Sequence, residues 1–297
     1  MSISLHSKAA SSGAKVLKSI HGKALLAELS SREPNLQTIL EYIQKDPHAG
    51  RLKQSFTNEN AFHLLLNNDF LSANFVLTVL RRLIDVCPKG VQDVCSNGSL
   101  PLHVALRQRH VIEEAVLILI KGNQMLLISV NFITFTIYLA YPDGSKAVME
   151  HGIIPLFLAV MRDDASVKIC KALCEANPLG PSTMNQSRSY PLHFACRRQR
   201  PNLTIIKLLI HANPLALSHI NDYGLHPLHC ITSTSDNIAA VECVYHACPE
   251  AIAVPDRQGR TCLHLAVMLV GKDHEKSVIT MEDNAIFEYE QDNLIQV

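Results

Sequence analysis

Histidine recurs in phase along this chain, and imidazole is the side chain best suited to metal ligation or proton transfer near neutral pH. It stands third in Ala61-Phe-His-Leu-Leu-Leu66, Pro101-Leu-His-Val-Ala-Leu106, Pro191-Leu-His-Phe-Ala-Cys196, Pro227-Leu-His-Cys-Ile-Thr232 and Cys262-Leu-His-Leu-Ala-Val267. That places His63, His103, His193, His229 and His264 at one position of a repeated string. Helices of neighbouring repeats pack about 8–10 Å apart, whereas zinc needs its ligands at about 2 Å. Histidines one repeat apart therefore cannot share a metal. Phe157 occupies the same place in Pro155-Leu-Phe-Leu-Ala-Val160, and phenylalanine cannot replace a required ligand. Each ring is instead expected to bond to turn backbone in its own unit and in the neighbouring one.

Other reactive groups give weaker patterns. His226, His229 and Cys230 lie close together, but no fourth ligand follows at a recognisable spacing. Cys170 and Cys174 share a helix face with Ile169 and Leu173 nearby, where a thiol packs as a small hydrophobe. Phosphate-binding glycine loops, a nucleophile elbow and His-Glu-x-x-His are absent from the sequence. The expectation is no enzyme, no catalytic residue, no cofactor and no metal. Basic residues do recur behind the strings, at Arg107 and Arg109, at Arg162, and at Arg197, Arg198 and Arg200. Guanidinium forks suit carboxylate and phosphate, so these six are the candidate partner-binding residues. A solvated helix end is the alternative reading, and Asp163 and Asp164 interrupt the stripe.

The elements that position these residues follow from the spacing. Successive strings begin 40, 54, 36, 36 and 35 residues apart. An independent marker follows each of the first five: Cys87-Pro88, Tyr141-Pro142, Asn177-Pro178, Asn213-Pro214 and Cys248-Pro249. The shared spacing identifies a repeat of a turn and two short helices. Gly98, Gly152, Gly224 and Gly259 precede their strings by three residues, with Asn58 and Arg188 in the other units. Glycine and asparagine tolerate the positive φ of a tight turn; arginine does not do so readily, so a different turn is expected at Arg188. Proline opens four of the six first helices without cost, and the residue before each later proline ends the second.

The Pro-Leu-His-x-Ala strings with glycine upstream resemble the ankyrin repeat. That family has a period of about 33 residues and a Thr-Pro-Leu-His signature. Here the period is nearer 36 and only Thr261 supplies the threonine. The extra residues are expected after the second helix, at the Asn-Pro segments. The resemblance implies an all-α fold, a helical solenoid of about six to seven helix-turn-helix repeats joined by hairpin loops. The expected boundaries are a flexible basic tail over 1–23, a degenerate repeat over 24–54, and repeats over 55–94, 95–148, 149–184, 185–220 and 221–255. A C-terminal cap over 256–297 closes the array.

One interval exceeds the period by 18 residues, isolating Gly122–Leu139, an uncharged segment rich in β-branched and aromatic side chains. A structured insertion, a membrane-spanning helix and a retained intron that keeps frame all fit it. Over the whole chain, 47% of residues are hydrophobic, and 27 basic residues balance 27 acidic ones. The first value excludes a disordered chain; the balance argues against gripping nucleic acid through its phosphates. Nine cysteines without a Cys-x-x-Cys pair, and no secretory signal, point to a reducing compartment. The cytoplasm is expected, with the nucleus as an alternative. A basic stretch without arginine before Arg32 leaves organelle targeting as a lesser alternative. The resemblance implies a non-catalytic scaffold that binds a protein partner, acidic or phosphorylated, on a concave face. Small-molecule substrates and nucleic acid are not expected. The alternative is a membrane-tethered ankyrin-type protein using 125–141.

Overall fold

A computed structural model describes residues 20–122, 153–235 and 237–274. Every regular element among the described residues is helical, and none is a strand. The chain divides into two compact units, residues 1–159 with 166–180, and residues 160–165 with 181–297. The first holds α1 (20–29), α2 (Leu36–Lys45), α3 (Ala61–Leu66), α4 (Ala73–Val86), α5 (Pro101–Arg107), α6 (113–122), α7 (Pro155–Val160) and α8 (Val167–Ala176). The second holds α9 (Pro191–Cys196), α10 (Leu203–Ala212), α11 (Pro227–Thr234), α12 (Ile238–Ala247) and α13 (Cys262–His274). Helix α1 includes residues 20–23, which the sequence reading left in the tail. Among the described residues no helix is long and apolar enough to cross a membrane. The segment 125–141, the remainder of the insertion beyond Gly122, and the tails 1–19 and 275–297 lie outside the described residues.

Short and longer helices have different jobs. The first helices are mostly apolar, and Ala61–Leu66 and Pro191–Cys196 are buried throughout. The second buries one stripe: Val76, Val79, Leu80 and Leu83 in α4, and Ile205, Ile206 and Leu209 in α10. Asn35, Ser72, Ser166, Asn202 and Asn237 cap these second helices by accepting backbone N–H bonds. Each such cap is worth about 1 kcal/mol. The helices stop at Asp46, Cys87, Asn177, Asn213 and Cys248, each forced out of the α region by the proline that follows. Beyond them the chain tightens into 3-10 turns, Pro88–Gln92, Pro214–Ser218 and Pro249–Ala253 among them. The residues in excess of the shorter period were expected at this place.

Within the first unit α3 packs on α4 and α5, and α2 on α4. Within the second, α9 meets α10 and α11, α11 meets α12 and α13, and α10 meets α12. Like therefore packs on like. Leu102, Leu192 and Leu228 are all buried at the same phase of their helices, whereas Leu263 in α13 is 68% exposed. Hairpins are also tied to each other through backbone. Ser96 N–H donates to Thr57 C=O at 2.7 Å, and Asp222 N–H to Ser187 C=O at 3.0 Å.

The turn at Arg188 does not differ from the rest. Arg188 and Asn58 both have φ of 55°, beside 78°, 80° and 76° at Gly98, Gly224 and Gly259. The expectation of a different turn is thus corrected: hairpin closure, through Asn185 N–H to Ser189 C=O at 3.0 Å, overrides the arginine's preference. Left-handed backbone costs an L residue about 1–2 kcal/mol, and glycine gives back part of that gain as unfolded-state entropy. Arg188→Gly is expected to stabilise the protein by about 0.5–1 kcal/mol. Urea denaturation measures it, and an unchanged or lower midpoint would show that the turn carries no strain.

Candidate functional site

The recurring histidines are built into the frame. Backbone N–H groups of Asn60, Leu100, Tyr190, His226 and Thr261 donate to Nδ1 of the histidine three residues on, at 3.1–3.4 Å. Where Nδ1 accepts, the neutral ring carries its proton on Nε2. Nε2 of His63 lies 3.0 Å from Ser99 C=O, that of His193 3.3 Å from His219 C=O, and that of His229 2.9 Å from Val254 C=O. All three carbonyls belong to the following hairpin. Burial pushes His103 and His193 down to about 3, and lowers His63, His226 and His229 as well. A ring held neutral between two backbone segments is a structural tie. Phe157 fills the same place and is fully buried.

The thiols and the clustered histidines are occupied in the same way. All nine cysteines are free of disulfides. Burial raises Cys170 and Cys230 to about 12, and Cys174 and Cys262 to about 11, which keeps them protonated. His226 and His229 stack with ring centroids 5.7 Å apart. Among the described residues no three His, Cys, Asp or Glu side chains converge as a metal site would require.

The six arginines have unlike surroundings. In the first unit Arg107 is half-buried with Nη1 3.4 Å from Ser99 Oγ, and Arg109 is exposed. In the second, Arg162 forks onto Asp164 with Nε at 2.7 Å and Nη2 at 3.0 Å, and 18% of its side chain is exposed. Arg198 pairs with Asp163, is 17% exposed, and burial lowers its pKa. The Arg197 guanidinium lies 5.6 Å from the Phe194 ring centroid. Arg200 is exposed. The aspartates that interrupt the basic pattern in sequence are thus partners of its arginines. Arg109 and Arg200 are the exposed members of the six.

Two features escaped sequence reasoning. Cys95, Asn185, Asn221 and Asp256 stand eight residues before their marker histidines and open the hairpins. The Asn221 side-chain oxygen accepts from Tyr223 and Leu225 N–H at 3.0 Å, and that of Asp256 from Gln258 and Arg260 N–H at 2.9 and 2.8 Å. The recurrence of Asn or Asp at that phase was the available signal. The second feature is a groove of about 390 Å³ in the first unit, between the α3–α4 and α5–α6 loops, with Arg109 on its lining. No family model matches the chain, and a search of curated proteins finds no match to it either.

Proposed function

We propose that the chain is a non-catalytic scaffold of the ankyrin-repeat kind, its helix pairs stacked as a solenoid that binds a protein partner across hairpins and first helices. The observation that carries this reading is the recurrent imidazole tie, from the start of one first helix to the carbonyls of the next hairpin. Such ties join identical modules side by side, and arrays of that kind present long binding surfaces that need no reactive group. The strongly shifted histidines and thiols sit in the core as frame elements, which supports the absence of catalysis from this reading. The partner is an acidic or phosphorylated protein segment, for which each unit offers its own basic residues: Arg107 and Arg109 in the first, and Arg162, Arg197, Arg198 and Arg200 in the second. Balanced charge keeps nucleic acid out of the proposal. The compartment is the cytoplasm or the nucleus.

The test uses the full chain as cross-linking bait in cell extract, beside an Arg109→Glu, Arg200→Glu variant. A defined partner set is expected to fall about tenfold with the variant at unchanged melting temperature, and to weaken as salt rises. Identical capture by wild type, variant and bare resin would refute the scaffold reading.

A further inference from the structure

The groove in the first unit specifies what kind of segment would be gripped, an inference that rests on the interaction reading above. Leu65, Leu66, Val76 and Ala105 give it a buried apolar floor. Asp69, Arg109 and His110 also line it. Its volume of about 390 Å³ is at the small end of the roughly 300–1,000 Å³ usual for ligand clefts. That is room for one or two side chains.

Two observations set it apart from ordinary surface relief. The first is Ala73, which lines the groove as the opening residue of α4. At the same place α2, α8, α10 and α12 begin with Leu36, Val167, Leu203 and Ile238, and α6 begins with Glu113. Only a methyl group stands where those helices carry a longer or branched side chain. The second is Phe70, which lies between the lining residues Asp69 and Leu71 and is 68% exposed. The Arg32 guanidinium rests 5.7 Å from its ring centroid. Exposed aromatic and arginine side chains around an apolar depression are the make-up of an interface centre. Arg32 and Arg109 outnumber Asp69, so the surround favours negative charge.

We propose that this groove is the anchor pocket for an acidic peptide segment of the partner protein. One side chain of leucine, methionine or phenylalanine size enters beside Ala73. Carboxylates flanking it in the peptide pair with Arg109 and Arg32, and Phe70 covers the anchor.

A phage library of random dodecapeptides panned on the full chain tests this. One enriched peptide is then synthesised and titrated by fluorescence anisotropy against wild type, Ala73→Leu and Arg109→Glu. Enriched peptides are expected to carry one large apolar residue among Asp and Glu. Ala73→Leu should weaken binding at least about tenfold while leaving the melting temperature unchanged or higher, because it fills the pocket. Arg109→Glu should weaken it about fivefold, an effect that fades with salt. Should the leucine variant fail to fold, Ala73→Val makes the same measurement with a smaller plug. No enrichment, enrichment of basic or anchor-free peptides, or wild-type affinity in the filled variant would each overturn the proposal. If filling the groove leaves partner capture intact while Arg109→Glu, Arg200→Glu abolishes it, the groove assignment falls and the scaffold reading stands. Capture unaffected by either change removes the groove and the arginine assignment, and capture no better than that of bare resin removes the scaffold reading as well.

Discussion

Lowering the pH from 7 to 5 is expected to remove about 4 kcal/mol of stability through His103 and His193 alone. Both rings are buried, and burial holds them near 3, against 6.5 for an unhindered imidazole. The unfolded chain therefore takes up protons below pH 6.5 that the folded chain refuses. Stability is level above that value, declines as pH falls from 6.5 toward 3, and levels again once the folded rings titrate. Each ring loses about 2 kcal/mol by pH 5, one and a half units below its unfolded value. His63, His226 and His229 shift in the same direction and deepen the slope. Asp93, Glu113 and Asp256 are held below their ordinary values, so their share disappears only at lower pH. Two-state stabilities of folded domains are about 5–15 kcal/mol, so acid unfolding should be complete well above pH 3. Urea titrations from pH 7.5 to 4.5 measure the slope. His193→Phe copies the occupant that the chain itself uses at Phe157, and should flatten the slope by one ring's share. A flat profile between pH 6.5 and 5 would contradict the neutral, buried state of these histidines.

Gly90→Ala is expected to cost about 2–3 kcal/mol, the range for overfilling a packed core. A β-carbon there would stand 2.3 Å from Cε2 and 2.8 Å from Cδ2 of Phe62, whose ring is fully buried and has nowhere to move. The conflict is particular to this repeat. Ala216 and Ala251 occupy the position two residues after proline in later units, where Leu192 and Leu228 stand in place of Phe62. Gly180, at the same phase, would place its β-carbon 3.5 Å from Leu156 Cδ2 and 3.4 Å from Asn177 Nδ2, ordinary contacts. Gly180→Ala is therefore the near-neutral control. Phe62→Leu combined with Gly90→Ala should recover more than half of the loss, a coupling that a double-mutant cycle reads directly. Additive costs would show that ring and glycine are not a matched pair.

Much of the frame is legible in the sequence because it is written in residues with strong local rules. Proline marks where α5, α7, α9 and α11 begin. Cys-Pro and Asn-Pro mark where α4, α8, α10 and α12 end. The in-phase histidines foretell the two-sided bonding of His63, His193 and His229, since a buried imidazole gains by satisfying both nitrogens. What stayed hidden depends on partners distant in sequence. Nothing local shows that Asp163 turns toward Arg198, 35 residues on, and in sequence it only dilutes a basic pattern. Gly90 reads as one more loop glycine until Phe62 is seen against it. The groove is defined by what Ala73 lacks, and a missing side chain leaves no motif to find. Arg188 shows the opposite error, a local preference trusted where hairpin closure overrules it.

The ties that hold consecutive repeats grip peptide oxygens, those of Ser99, His219 and Val254, and ignore the side chains attached to them. Ties of this kind, which read only main chain, are blind to the lettering of the loops they hold. Phe56, Val94, Met184 and Ile220 stand exposed along the hairpins, where exchange touches no joint. The hairpin surface can therefore change residue by residue while the joinery beneath keeps its dimensions.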